Sequence, residues 1–82
     1  MEVIKSFTGV WHCPVFGEFT VTVKETISLV RCNELYIVMR VSDTCNIDDA
    51  IPINPRYTRN YTEALDWYEE WNRELMWHMA NT

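Results

Sequence analysis

Glycine and proline are scarce, at two and three residues of 82. That excludes a collagen-like or low-complexity chain. No apolar run approaches the ~18 residues of a membrane span, so no membrane partner is expected. The opening Met1-Glu2-Val3-Ile4-Lys5-Ser6 has no basic segment leading into an apolar one, so no signal peptide is expected. Cys13, Cys32 and Cys45 are odd in number and show no CxxC spacing. Odd thiols without a secretion signal fit a reducing compartment, and a cytoplasmic location is expected. The Asn60-Tyr61-Thr62 sequon then carries no meaning. Bases are also short, at 7 Lys and Arg against 12 Asp and Glu, a net charge of −5. Duplex DNA binders gain affinity by neutralising phosphates, so direct nucleic-acid binding is not expected.

What is present is ordinary for a folded chain: 48% hydrophobic and 23% charged residues. A chain this short supports one domain, with a thin core that a partner or second copy would help. The two halves differ in period. Up to about residue 43 the pattern alternates. Phe19, Val21, Val23, Ile27 and Leu29 share one face, and Thr20, Thr22, Lys24, Thr26 and Ser28 share the other. That is a half-buried antiparallel strand. Glu25 stands on the apolar face and is read as a bulge, or as the point where one strand becomes two. Asn33 in Arg31-Cys32-Asn33-Glu34 suits a turn needing positive φ. Residues 35–41 read as the return strand, and residues 3–11 as a weaker strand ended by Cys13-Pro14 and Gly17.

Residues 44–60 read as a connector, where Asp48, Asp49, Pro52, Asn54 and Pro55 oppose regular structure. Ile47, Ile51 and Ile53 are expected to tack it to the sheet, with one short edge strand at residues 50–53. From residue 61 a helix is predicted to about residue 79 or 80. Asn60 fits as N-cap, with Glu63 placed to complete a capping box. Tyr61, Ala64, Leu65, Tyr68, Trp71, Leu75 and Met79 fall on one stripe. The expected fold is α+β: a three- to four-stranded antiparallel β-meander over residues 2–42, packed against one C-terminal amphipathic helix.

The helix concentrates the charge. Residues 61–82 carry five acids and one base, Arg73, leaving the rest of the chain near neutral. A solvated face and the helix dipole account for some of this. So few bases, however, forfeit most of the i,i+4 ion pairs a helix selected for stability would use. Glu63, Asp66, Glu70 and Glu74 line one edge. Trp77 falls among them, and Trp67 and His78 sit beside the apolar stripe. An exposed Trp in an acidic strip is a feature of binding hot spots. These positions, Glu63, Asp66, Glu70, Glu74, Trp77 and Trp67, are the candidate partner-binding residues.

Motifs for chemistry are absent. The His12-Cys13, Cys32, Cys45, His78 set has no zinc-ligand spacing. No orienting third group accompanies a Cys–His pair. Asp43, Asp48 and Asp49 share a loop without the glycine and terminal Glu of an EF-hand. There is no phosphate-binding glycine loop. No cofactor, metal or catalytic residue is expected, and the protein is read as a non-enzyme. Tyr36 and Arg40, assigned to the solvent face of the sheet, would be too few for single-strand binding.

In kind, the chain resembles the short accessory proteins of bacteriophages and mobile elements. The resemblance is one of class, resting on size, acidity and lack of motifs. Many such proteins inhibit host defence machinery, including anti-CRISPR and anti-restriction proteins. The class implies an acidic surface that blocks a basic, nucleic-acid-binding surface of a host protein, in the host cytoplasm. Two alternatives stay open: a small-ligand or nucleotide-binding module with a site between protomers, and a homo-oligomeric assembly protein using a sheet edge. A homodimer is compatible with each.

Overall fold

A computed structural model of the chain describes residues 1–17, 19–44 and 51–81. Four strands form one antiparallel sheet in sequential order: β1 (Glu2–Phe16), β2 (Phe19–Cys32), β3 (Leu35–Thr44) and β4 (Ile51–Thr58). One helix, α1 (Tyr61–Ala80), packs on all four strands. The small α+β architecture is the one the two periods predict.

The strands run longer than their composition suggests. β1 continues through Cys13 and Pro14 to Phe16, and a full strand, β4, occupies much of the expected connector. The reason is position in the sheet. All three prolines, Pro14, Pro52 and Pro55, lie in β1 and β4, its two edges. An edge strand leaves half its N–H groups outside the ladder, so a missing one is tolerated there. Gly17, just after β1, has φ of 54°, a conformation glycine adopts without steric cost, and Asn33 takes φ of 58° between β2 and β3.

Glu25 marks neither a bulge nor a break. β2 runs unbroken past it, pairing Gly9 on one side and Ser42 on the other. The irregularities lie elsewhere: in β1 between Val3 and Lys5 and between Pro14 and Phe16, and opposite β4 between Val38 and Arg40. The faces of β3 are also the reverse of those expected. Arg40 is buried, and Tyr36 packs against the core under the helix. Ile37, Met39 and Val41 therefore take the face away from α1.

The core lies between helix and sheet, where Ile27, Leu29 and Val38 meet Ala64, Tyr68, Trp71 and Leu75. Tyr61 and Met79, expected in the buried stripe, are 39% and 40% exposed. They sit at the ends of the helix, where the sheet gives less cover. Tyr61 instead sets its ring edge-on to Tyr36, centroids 5.4 Å apart. Met79 crosses β1 at Gly9, where an added Cβ would lie 2.6 Å from the Met79 sulfur and 3.2 Å from Leu75. Asn60 does cap the helix, its side-chain oxygen accepting from the amides of Thr62 and Glu63. The reciprocal half of the capping box is replaced: the Asn60 amide donates to the Thr58 hydroxyl at 3.0 Å. No helix among the described residues is long and apolar enough to cross a membrane. The seating of Ile47, Ile51 and Ile53, the Asp48–Asp49 loop and the Cys45 thiol lie outside the described residues and side chains.

Candidate binding groove on the helix flank

The site begins with the misplaced acid. Glu25 stands on the helix-facing side of β2, where its neighbours in alternation are Val23 and Ile27, both buried. An isolated carboxylate there would be costly, so it needs donors. Arg40 supplies two, Nε to Oε1 at 3.3 Å and Nη2 to Oε2 at 3.2 Å. The Ser42 hydroxyl donates to Oε1, and the Trp11 indole N–H to Oε2 at 3.1 Å. Burial pushes this carboxyl upward. The bonds from Ser42 and Arg40, the Arg40 charge and the Trp11 bond together outweigh it and hold it below the usual glutamate range. Glu25 is therefore an ionised, fully engaged acceptor with no proton to give.

Arg40 carries the network into the helix, its Nη1 donating to Glu74 Oε2 at 3.1 Å. Arg40 is thus a pin between sheet and helix with an acid on each side. One turn earlier, the β4 residue Arg56 lies over the rings of Trp67 and Trp71, at 5.6 and 5.2 Å from their centroids. It also pairs with Glu70 at 3.8 Å. Towards the C-terminus, His78 stacks on Trp11 with centroids 4.5 Å apart and planes 18° apart, while Trp77 meets His78 edge-on at 5.3 Å.

Beside these contacts the flank of α1 carries an open groove of about 500 Å³ lined by Glu70, Arg73, Glu74, Trp77 and His78. It brings together three of the six residues singled out from the sequence: Glu70, Glu74 and Trp77. Trp77 is 63% exposed, as its place on the wheel implied. Glu63 and Asp66 are exposed on the same edge but lie nearer the helix N-terminus, outside the groove lining. Trp67 is half-buried, packs against the core and lies under Arg56, outside the groove lining. The acidic strip is also less idle than its composition implies, because Glu70 and Glu74 answer cations from the sheet. The sequence did not reveal Arg40 and Arg56 as partners of the strip, or Trp11 as a partner of Glu25 and His78. Glu25 was the signal, since a lone acid on an apolar face requires a cation within reach.

The arrangement has the parts of a binding surface: carboxylates, a projecting indole and an imidazole held by its stacking on Trp11. Among the described residues no group of three His, Cys, Asp or Glu side chains could hold a metal ion. Cys13 and Cys32 are free thiols. Compared with known protein families, curated proteins and solved structures, the chain matches none.

Proposed function

We propose that this chain is a small acidic protein-binding module, an inhibitor of the anti-CRISPR or anti-restriction kind made by phages and mobile elements. It covers a basic, nucleic-acid-binding surface of a host protein in the host cytoplasm. The observation that carries this reading is the groove of Glu70, Arg73, Glu74, Trp77 and His78, with a largely exposed indole amid carboxylates. An exposed Trp suits a partner's arginine or lysine, which gains a ring face there, while Glu70 and Glu74 already answer Arg56 and Arg40. Glu63 and Asp66 make no ion pair among the described residues and extend the negative edge towards the helix start, where they steer encounter.

The test is capture from a bacterial host lysate at low and high salt, followed by competition with duplex DNA. A nucleic-acid-processing protein held at low salt and displaced by DNA is the expected result. With that partner, Trp77→Ala should raise the dissociation rate with little salt dependence. Glu63→Lys with Asp66→Lys should slow association and weaken its salt dependence. Glu74→Lys is unsuitable as a probe, because it would set a second cation against buried Arg40. A Trp77→Ala variant that binds as wild type sinks the helix-flank reading.

A further inference from the structure

The sheet has two faces, and α1 covers one. By the pairing register the other face carries Ser6, Thr8, Val10 and His12 from β1, Thr22 to Val30 at every second residue from β2, and Leu35 to Val41 likewise from β3. Tyr57 joins it from β4, opposite Ile37. No described element packs there.

This face leaves several large apolar side chains exposed. Val10 is 47% exposed, Leu35 38%, Val41 37% and Tyr57 60%, with Val3 at 60% on the same side. Monomeric proteins rarely leave large contiguous apolar patches uncovered. Its polar groups are already matched across strands. Ser6 bonds Ser28 at 3.3 Å, Thr8 bonds Thr26 at 3.0 Å and His12 bonds Thr22 at 3.2 Å. Hydroxyls that satisfy one another lose less on leaving water. Charge is nearly absent: Lys24 is the one fixed charge among the described side chains.

Shape points the same way. The radius of gyration is 14.1 Å, against about 12 Å for a compact chain of this length. The accessible surface is 5737 Å², against roughly 5,200 Å² for a compact monomer of this mass. The molecule is a slab, 47 × 25 × 16 Å. Its broad face offers on the order of 800–1,000 Å², the area each partner contributes to a standard interface.

We infer that the uncovered sheet face is a homodimer interface, closed by a second copy of this chain. The charge distribution selects that occupant. Each copy carries −5, nearly all on the helix, so two copies repel through their helix sides. The near-neutral sheet face is where they meet without opposing like charges, and a two-fold contact matches each apolar patch with itself. The groove of Glu70, Glu74 and Trp77 then faces outward in both copies.

The test is sedimentation velocity on the full chain from ~1 to ~100 μM, a range that covers micromolar self-association. Wild type should reach twice the 9.8 kDa chain mass. The double variant Val10→Lys, Val41→Lys, at two exposed positions, should stay at the monomer mass with an unchanged circular dichroism spectrum. Tyr57→Glu, at the other edge of the face, should also give a folded monomer if the lysine pair fails to fold. A monomeric wild type at ~100 μM overturns the inference. So does a dimer that survives these substitutions, since its contact would lie on the β1 edge or the helix flank.

Discussion

At the scale of single residues, Arg40 has the largest consequence. Its side chain is 9% exposed and that of Glu25 5%, so removing either partner leaves the other charge buried. Arg40→Ala is expected to cost about 3–5 kcal/mol in chemical denaturation. The pair Glu25→Leu with Arg40→Met removes both charges and should cost much less than the sum of the single changes, because Glu74 is half-exposed and can rely on water. Additive single and double effects would show the network to be energetically idle. Proton linkage gives an independent check. The Glu25 carboxyl is held lower in the folded state than in the unfolded chain, so folding releases its proton more readily. Its contribution is fully present above the unfolded value near 4.5 and is lost as pH falls through the lower folded value. Wild type should lose this contribution as pH falls below ~4.5. Glu25→Gln should be less stable at neutral pH and show a flatter acid limb.

Among the elements, α1 depends on its fit to the sheet more than on helix propensity alone. Most helical stability in a folded protein comes from packing of an amphipathic face, and buried Ala64, Tyr68, Trp71 and Leu75 fasten α1 to the sheet. Leu75 is fully buried, so Leu75→Ala should cost ~2–5 kcal/mol. The fit is equally tight from the other side. Gly9 admits Leu75 and Met79 where any Cβ would crowd them, so Gly9→Val should cost ~1–3 kcal/mol through overpacking. Denaturant midpoints for both variants test the docking. A change under ~1 kcal/mol in each would mean that the helix does not seat at Gly9.

For the whole molecule, the topology is sequential and the helix comes last. The four strands pair with their neighbours in order, but the face that unites them is covered only when α1 docks. A chain ending at residue 60 would leave Ile27, Leu29 and Val38 in water. The apolar face of a sheet must be buried against another element, and α1 is the element that covers this one. The truncated chain should therefore show no cooperative thermal transition and should bind a hydrophobic dye. A sharp transition in it would mean that the sheet is stable without its helix.

The sequence by itself determined the order of elements, the helix limits and its cap, because those signals are local. A 3.6-residue stripe from Ala64 to Leu75 has one way to face a core, and Asn60 needs only the next three amides. The exposure of Trp77 followed from the same wheel. The sense of β3 was not legible. Tyr36, Val38 and Arg40 alternate with Ile37, Met39 and Val41, both sets hold apolar residues, and the more apolar set faces away from the helix. Period two cannot choose between two apolar faces, so register and the demand of buried Glu25 for a cation decided it. Edge position decided whether Pro14, Pro52 and Pro55 could lie in strands, and no residue announces which strand will be an edge. The groove residues Glu70, Arg73, Glu74, Trp77 and His78 share one flank of α1, but their pairing arose only in three dimensions, because Arg40 and Arg56 reach Glu74 and Glu70 from strands distant in the chain.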